Sequence, residues 1–371
     1  MPHRIPPFTA IVSALPENVP FRPPEATERL RGRVFRLRLG LNESAFGISP
    51  HARSAIHAAL ERVSCYADAE CHDLRAEISG AMGINPEYLV FGNGIDNLLD
   101  LLTRAFLEPG RTVVLSRGAY PTFPFHAEAH GASLVCVPYS NGRNDLEALA
   151  DAARRTGAHM VYVANPDNPT GTWQNAGAIQ SFIDSLPDEC LIVLDEAYVE
   201  FAPPGEALPT LTSDPRLVRL RTFSKAHGLA GLRIGYAVAH PAIIAALDKF
   251  RNHFAVNRLA QCAALASFRD AQFLTDVVRQ VNDGKRDYYA LADELNMPAL
   301  PSATNFVSLD AGSPDAAHAL LAKLLERDIF VRSPGAPELN QYIRVTVGTQ
   351  EERNLFRDAM REIAAEGGRA Q

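Results

Sequence analysis

Short apolar segments that alternate with helical patterns constrain the fold of this 371-residue chain more than any other feature. From about residue 88 onward, runs rich in β-branched residues are separated by amphipathic stretches such as LDLLTRAFLE and LEALADAARRT. Strands that are apolar along their whole length are typical of a parallel sheet with helices on both faces. The predicted strands are YLVF (88–91), TVVLS (112–116), SLVCV (133–137), HMVYVA (159–164), CLIVLD (190–195), LVRLRT (217–222) and IGYAVA (234–239).

The rest of the chain predicts an arm and a second, smaller domain. Residues 257–296 contain few helix-breaking residues and predict one long helix. Two further predicted strands, NFVSLD (305–310) and YIRVTV (342–347), have helical patterns between and after them. We therefore expect an α/β protein with a proline- and arginine-rich arm (1–36), a large domain whose mostly parallel central sheet is flanked by helices (37–256), and a smaller α+β C-terminal domain (257–371).

Charge and cysteine content narrow the class of protein. The net charge is −7, and nucleic-acid binding usually needs a basic face, so we expect no nucleic-acid partner. Five cysteines without a C-x-x-C pair indicate neither a disulfide framework nor a zinc knuckle, and a cytoplasmic location fits them. Prolines interrupt the N-terminus, and no segment reaches the ~20 apolar residues of a membrane span. We therefore expect neither a signal peptide nor a membrane association.

The segment TFSKAHGLAGLR places Lys225 directly after a predicted strand. Burying an ammonium group is costly, and one exception is a lysine that must be neutral to form a Schiff base. The hydroxyls of Thr222 and Ser224 and the guanidinium of Arg233 could hold a phosphate at a fixed distance from that lysine. The alternative is an ordinary lysine in a surface loop, and the local sequence leaves both interpretations open.

Asp195 ends the apolar strand CLIVLD, and Tyr198 follows three residues later. Ligands bind at the carboxyl edge of a parallel sheet, so both side chains are candidates for contact with one ligand. A carboxylate at this position can pair with the cationic ring nitrogen of a cofactor. The alternative for Asp195 is the N-cap of a helix, which aspartate also favours.

Three more loops follow predicted strands. In VANPDNPTG, two prolines present Asn168 on a rigid turn, although such residues also form plain turns. In FGNGIDN, Gly94 precedes a predicted helix whose free N–H groups can bind phosphate. A dinucleotide motif is matched only in part, because Asn97 replaces the third glycine. Tyr120, in GAYPTF, is placed to cover the face of a planar ring or to serve as a core residue.

Together these segments resemble one family. GNGIDN, AYPTF, NPDNPTG, LDEAYVEF, TFSKAHGLAGLRIG and IRVTVGT follow the order found in fold type I aminotransferases, which depend on pyridoxal 5′-phosphate (PLP). The sequence looks most like the histidinol-phosphate aminotransferase group. The resemblance runs from about residue 41 to the C-terminal helix, and its specific parts are the motif around Lys225 and the LDEAY segment.

The resemblance implies a role for each candidate residue. Lys225 holds the cofactor as a Schiff base and moves a proton, Asp195 keeps the ring nitrogen protonated, and Tyr198 contacts the ring hydroxyl. The other implied cofactor contacts are Gly94, Ile95, Asp96, Tyr120, Asn168, Thr222, Ser224 and Arg233, with Tyr66 reaching the cofactor phosphate of a neighbouring subunit. The expected substrate contacts are Arg344, Arg332, Phe46 and Asn168. We therefore expect a homodimer with shared active sites.

One departure from the family pattern bears on the substrate. The family's usual N-E-N-P-Y-G is NESAFG here (residues 42–47), so Phe46 lacks a tyrosine hydroxyl. A hydrogen bond to a charged group is worth about 1.5–3 kcal/mol. We therefore expect an amino acid with a carboxylate to outcompete histidinol phosphate as amino donor, with a 2-oxo acid as acceptor in a ping-pong reaction.

Other functions stay open at the level of the sequence. A decarboxylase or an amino-acid racemase can use the same frame, because the reaction depends on which α-carbon bond stands perpendicular to the cofactor ring. A PLP-binding module without catalysis and a nicotinamide-dependent dehydrogenase are further alternatives. His126 and His130 have a spacing that can bind zinc, but no third ligand is evident and we expect no metal. His227 and His253 are either pocket residues or structural histidines.

Overall fold

The structure is a computed structural model that describes residues 5–17, 23–209 and 214–368. Its strands are β1 (Leu37–Arg38), β2 (Leu89–Gly92), β3 (Thr112–Ser116), β4 (Ser133–Val137), β5 (Met160–Ala164), β6 (Leu191–Asp195), β7 (Leu217–Thr222), β8 (Gly235–Val238), β9 (Phe306–Asp310), β10 (Ile329–Phe330) and β11 (Tyr342–Thr346). Its α-helices are α1 (Ala10–Ala14), α2 (Pro24–Arg31), α3 (Pro50–Ala59), α4 (His72–Met82), α5 (Gly94–Phe106), α6 (Thr122–Ala129), α7 (Leu146–Thr156), α8 (Ala176–Ser185), α9 (Pro241–Asp248), α10 (Arg258–Phe268), α11 (Ala271–Glu294), α12 (Pro314–Glu326) and α13 (Gln350–Gly368). Short 3₁₀-helices occupy Leu60–Arg62, Pro86–Tyr88, Val199–Phe201, Ala230–Leu232 and Pro337–Leu339. Among these described helices, none combines the length and the apolar content that a membrane crossing requires.

A central sheet organises the first two thirds of the chain. In the described residues its strand order is β2-β8-β7-β6-β5-β3-β4. Neighbouring strands run parallel except at β8, which is antiparallel to both β2 and β7. All seven strands predicted for this sheet form, with ends within one residue of those expected. The predicted α/β class with a mostly parallel sheet is confirmed.

The side chains of β5 point alternately to the two faces of the sheet, which explains why helices cover both faces. Met160, Tyr162 and Ala164 pack in one apolar cluster with residues of α5 and α6. Val161 and Val163 pack on the opposite face with residues of α7 and α8. Because successive side chains of a strand point to opposite faces, an apolar run needs helices on both sides. The carboxyl edge of the strands is then the place where loops can form a site.

The C-terminal part has its own apolar core. Strands β9 and β11 pair antiparallel and pack with α11, α12 and α13. Strand β1, which the sequence does not indicate, pairs parallel with β10, and Leu37 and Leu39 belong to the same apolar cluster. The start of the predicted large domain is therefore attached to the C-terminal part. The division of the chain at residues 36 and 256 stays a prediction.

The single long helix predicted over residues 257–296 is wrong. Two helices, α10 and α11, cover this range, and Arg269 and Asp270 separate them. The Asp270 carboxylate caps α11 by accepting a hydrogen bond from Phe273 N at 3.2 Å, and it accepts another from Ser49 Oγ at 2.5 Å. Aspartate is a favoured N-cap residue, so the break is readable at this position.

The predicted N-terminal arm contains two short helices. Helix α1 has no buried residue. Helix α2 is attached to the C-terminal part, because Arg31 donates hydrogen bonds to Leu325 O and to Asp328 Oδ1, both at 2.6 Å. Residues 1–4 and 18–22 of the arm lie outside the described residues.

Candidate active site

A cavity of about 700 Å³ lies at the carboxyl edge of the central sheet. Loops that follow β3, β5, β6 and β7 bring Tyr120, Asn168, Tyr198 and Lys225 to its wall. Residues 40–43, after β1, and residues 332–335, after β10, complete the lining. The walls therefore come from three separate parts of the sequence, and most of the predicted site residues meet here.

Lys225 faces this cavity from the loop after β7. Its Nζ donates a hydrogen bond to Asn42 O at 3.2 Å and lies 5.6 Å from the centre of the Tyr198 ring. Burial, with a smaller contribution from the Arg344 guanidinium, lowers the pKa of Lys225 to about 8. A lowered pKa increases the neutral fraction of the amine at neutral pH, which Schiff-base formation requires.

Asp195 is the last residue of β6 and is 5% exposed. Tyr162 OH donates a hydrogen bond to its Oδ2 at 2.7 Å, and Ala197 N donates to its Oδ1 at 2.9 Å. Burial raises the pKa of the Asp195 carboxyl to about 6, and the bond from Tyr162 opposes that rise. Tyr198, not Asp195, occupies the N-cap position of the next helical turn. The carboxylate is thus suited to pair with a cationic group that enters the cavity.

The start of α5 forms a corner suited to an anion. The helix begins at Gly94, and Ile95 and Asp96 line the cavity. Arg233 Nη2 donates a hydrogen bond to Asp96 Oδ2 at 3.3 Å. Gly94 has a φ of +78°, and a Cβ at this position would clash with Arg233 Nη2, so the corner requires glycine. Free N–H groups at a helix N-terminus bind phosphate oxygens.

The hydroxyl-bearing residues Thr222, Ser224 and Tyr120 also line the cavity. Thr222 Oγ1 donates to Ser224 Oγ at 3.0 Å and accepts from Ser224 N at 3.0 Å. Tyr120 OH donates to Asp96 Oδ1 at 2.9 Å, which attaches the Tyr120 ring to the start of α5. These contacts place the predicted phosphate-binding and ring-covering residues at one cavity.

Arg344 and Arg332 bring two cationic side chains to the cavity wall. Arg344 N donates to Arg332 O at 2.6 Å, so the two residues lie directly opposite each other. Arg344 Nη1 donates to Asn168 Oδ1 at 2.5 Å, and its Nη2 donates to Gly40 O at 3.3 Å. Burial lowers the pKa of Arg344 to about 10. Two guanidinium groups at one wall favour an anionic substrate group.

Three predicted site residues do not line the cavity in the described part of this chain. Gly94 is buried at the start of α5. Tyr66 is 81% exposed, and its ring centre lies 4.8 Å from that of Phe254. Phe46 packs against the apolar cluster of the C-terminal part. The contacts expected of Tyr66 with a neighbouring subunit and of Phe46 with the substrate stay predictions.

Three residues near the site had no role predicted from the sequence. Asn42, which is 2% exposed, donates from Nδ2 to Tyr198 OH at 2.9 Å. Glu43 lines the cavity, and Tyr162 holds Asp195. Asn42 and Glu43 begin the NESAFG segment, and Tyr162 carries the one hydroxyl in β5. A hydroxyl inside an apolar strand signals a buried hydrogen-bond partner.

No histidine of the described residues lines the cavity. His227 Nδ1 is 2.8 Å from Ser267 Oγ, and burial lowers the pKa of this histidine to about 4. His253 is exposed. His126 and His130 both lie near Asp100, at 3.5 and 3.7 Å from its Oδ1. Within residues 5–17, 23–209 and 214–368, no group of three or more His, Cys, Asp or Glu side chains is arranged to hold a metal ion.

The residues present fit the PLP that the sequence predicts. Lys225 can link to an aldehyde, Asp195 can pair with a ring nitrogen, and Tyr198 can bond to a ring hydroxyl. The start of α5, with Arg233 beside it, can hold a phosphate. Lys225, Asp195 and Tyr198 line one cavity with the residues of that corner, so a single small molecule can meet all of them.

Fold and site together define a class of protein, since a cavity lysine after a sheet strand is combined with a carboxylate at the end of the neighbouring strand. The chain belongs to the aminotransferase class I and II family, whose model matches residues 36–359. The predicted aminotransferase family is confirmed.

Within that family, the chain is similar to several histidinol-phosphate aminotransferases. The histidinol-phosphate aminotransferase of Geobacillus thermodenitrificans (strain NG80-2) is 36% identical over 339 residues, which cover 90% of this chain and 92% of that protein. Histidinol-phosphate aminotransferase 1 of Dechloromonas aromatica (strain RCB) is 38% identical over 327 residues, which cover 87% and 89%. The crystal structure of histidinol-phosphate aminotransferase from Sinorhizobium meliloti in complex with PLP is 40% identical with a TM-score of 0.94, and covers 98% of this chain and 99% of that one.

Proposed function

We propose that this aminotransferase binds PLP and transfers an amino group from histidinol phosphate to a 2-oxo acid. The observation that carries the proposal is the 40% identity, over 98% of the chain, to a histidinol-phosphate aminotransferase solved with PLP. The decarboxylase, racemase, dehydrogenase and non-catalytic alternatives are not favoured, because the relatives are aminotransferases.

Each residue of the cavity has a different role in the proposed transamination. PLP, when bound, supplies an aldehyde that links to an amine and a ring that withdraws electrons from the substrate α-carbon. Lys225 Nζ is the group placed to make that link and to move the α-carbon proton, because its lowered pKa leaves a neutral amine available. Asp195 would hold a proton on the ring nitrogen, and Tyr198 would donate to the ring oxygen. Arg233 and the start of α5 would hold the phosphate.

Arg332 and Arg344 would bind the anionic end of each substrate. Histidinol phosphate carries a phosphate and no carboxylate, whereas the 2-oxo acid carries a carboxylate, so one site must accept both anions in turn. A guanidinium group binds carboxylate and phosphate alike through two parallel N–H···O bonds. The expectation of a carboxylate-bearing donor depended on Phe46 facing the substrate, and in the described part of the chain Phe46 does not line the cavity but packs against an apolar cluster that includes Tyr198. The proposed amino donor therefore rests on the similarity to the histidinol-phosphate aminotransferases.

A comparison of amino donors tests this proposal. Cofactor absorbance is followed after adding histidinol phosphate, histidinol or histidine to the PLP-loaded protein, and kcat/KM is measured for each donor. Histidinol phosphate is expected to exceed the other two by about tenfold or more, the worth of a hydrogen bond to a charged group. Arg332→Gln should reduce that preference, while histidinol, which has no phosphate, should be affected less. A higher kcat/KM for histidine would refute the proposed donor.

The protein is further proposed to act as a cytoplasmic homodimer with shared active sites. An apolar surface around Tyr66 supports the dimer, because Leu60, Val63 and Phe254 beside it in sequence or space are 49%, 56% and 50% exposed. Exposed apolar patches mark association surfaces. The cysteines of the described chain are all free, which suits a reducing compartment. Recovery of the activity in a membrane or periplasmic fraction would contradict the location.

Mixing two impaired variants tests the shared site. A Lys225→Ala chain lacks the lysine but has a normal Tyr66, and a Tyr66→Phe chain has the opposite defect. If Tyr66 serves the partner's cofactor, each mixed dimer contains one site with both normal residues. Activity should therefore rise above the average of the two parents after subunit exchange. If Tyr66 acts within its own chain, the mixture will show no such gain, and a fully active monomer would refute the dimer itself.

A further inference from the structure

Every polar group of Asn42 forms a hydrogen bond within the cavity wall. Its Nδ2 donates to Tyr198 OH at 2.9 Å, its backbone N donates to Thr346 Oγ1 at 3.0 Å, and Thr346 Oγ1 donates to its Oδ1 at 3.2 Å. Its carbonyl oxygen accepts from Lys225 Nζ at 3.2 Å and from Asn305 Nδ2 at 3.1 Å. Its φ is +55°, a backbone region that asparagine adopts more readily than most residues.

These contacts determine which atom is the donor in each hydrogen bond between Thr346, Asn42 and Tyr198. A backbone N–H can only donate, so Thr346 Oγ1 must accept the bond from Asn42 N. The one proton of the Thr346 hydroxyl is then directed at Asn42 Oδ1, which makes that end of the amide the oxygen. The NH₂ end therefore faces Tyr198 and can only donate. Tyr198 oxygen accepts this bond, and its own proton is left for a partner in the cavity.

We propose that Asn42, oriented by Thr346, is a positioning residue that makes Tyr198 a hydrogen-bond donor toward the ring oxygen of the cofactor. The proposal rests on the part of the proposed function that places PLP in this cavity, and it does not depend on the amino donor. Packing supports it, because Tyr198 is 3% exposed and its ring is held edge-on by Phe306 at 5.5 Å. The bond from Asn42 also strengthens Tyr198 as a donor, since hydrogen bonds in a chain polarise one another.

The expected effect is on the acidity of the bound cofactor. A donor to the ring oxygen stabilises its negative form and lowers the pKa of the group that loses the proton. Weakening or turning that donor should therefore raise the pKa read from the cofactor absorbance. Burial raises the pKa of Tyr198 to about 12, so the tyrosine keeps its proton over the range in which the cofactor is titrated.

The experiment is an absorbance titration of the PLP-loaded protein across the neutral and alkaline range. Asn42→Gly removes the amide and tolerates the positive φ, and it should raise the cofactor pKa by up to about one unit, the lower end of what one hydrogen bond to a charged group is worth. Thr346→Val keeps the shape of the side chain and removes the hydroxyl, which lets the amide turn, so it should raise the pKa in the same direction by less. Thr346→Ser keeps the hydroxyl and should match the wild type.

Repeating each change in a Tyr198→Phe background separates positioning from structural support. If Asn42 acts through the Tyr198 hydroxyl, neither Asn42→Gly nor Thr346→Val will shift the cofactor pKa further in that background. An equal shift there, or no shift from either variant in the wild-type background, overturns the proposal. Because Thr346→Val removes the hydroxyl and Thr346→Ser retains it, this pair decides the matter even if Asn42→Gly does not fold.

The titration also distinguishes this proposal from the proposed function. A wild-type protein that binds PLP and gives the expected shifts, but does not react with histidinol phosphate, supports the role of Asn42 and refutes the donor. A wild-type protein without cofactor absorbance refutes both.

Discussion

Removal of one hydroxyl, in Tyr162→Phe, tests whether a single hydrogen bond sets the charge of Asp195. Tyr162 OH donates to Asp195 Oδ2 at 2.7 Å, and Tyr162 is fully buried, so water cannot replace the lost donor. A hydrogen bond to an ionised group contributes about 1.5–3 kcal/mol, and one pKa unit corresponds to about 1.36 kcal/mol. In the protein without cofactor, the pKa of Asp195 is about 6, and the variant should raise it by about 1–2 units.

The consequence is a loss of cofactor affinity that depends on pH. Asp195 must be ionised to pair with the ring nitrogen, so affinity falls as the pH drops through the pKa of this carboxyl. That midpoint is expected near pH 6 in the wild type. In the variant it should lie about 1–2 units higher, which reduces affinity at neutral pH by roughly two- to tenfold.

The assay is a titration of the protein, freed of cofactor, with PLP at a series of pH values. Groups other than Asp195 titrate alike in both proteins, so the difference between their midpoints reports on this carboxyl. Tyr139→Phe is a matched control, because it removes another buried tyrosine hydroxyl that donates to Asp167 Oδ1 at 3.3 Å. The control should keep the wild-type midpoint. An unchanged midpoint in Tyr162→Phe, or one at lower pH, would refute the reasoning.

Three further changes have defined outcomes. Lys225→Ala should abolish turnover and the cofactor linkage that borohydride reduces while keeping the wild-type circular dichroism, and a variant that still transaminates at a near wild-type rate contradicts the role of this lysine. Arg219→Met should lower the free energy of unfolding by about 3 kcal/mol in a denaturant titration, because buried Glu196 loses one of its two arginine partners; a loss below about 1 kcal/mol, the worth of an exposed pair, speaks against it. Phe46→Tyr should change kcat/KM for histidinol phosphate by less than about twofold, and a gain near the ~tenfold value of a charged hydrogen bond would place this ring at the substrate.

The sheet and the chemistry at its edge could be predicted because each depends on local sequence. Apolar runs such as MVYVA at β5 and LIVLD at β6 can only be buried on both faces, and polar residues directly after such strands must meet at one edge. Lys225 and Asp195 were singled out in this way, and the resemblance to a known family implied their roles. The same reasoning extends to α7, whose whole amphipathic segment was visible as LEALADAARRT.

Contacts between distant segments were out of reach of the sequence. Strands β1 and β10 have two residues each, which is too short for a periodic pattern. The bond between Asn42 and Tyr198 depends on that pairing, because Asn42 follows β1 closely. Phe46 was expected at the substrate because of its place in the NESAFG segment, and its ring packs against an apolar cluster that includes Tyr198. The break between α10 and α11 at Asp270 depends on local sequence and could have been predicted. It was missed because no proline or glycine lies there.

The pairing of β1 with β10 has a consequence for the order of events during protein synthesis. A chain leaves the ribosome from its N-terminus, so Leu37 and Arg38 emerge long before Ile329 and Phe330 are made. The central sheet, which carries Lys225 at its edge, can form while translation continues. Residues 40–43 can take their place in the cavity wall only after the segment that contains β10 has been made. A nascent chain therefore carries Lys225 before the wall of the cavity around it is complete.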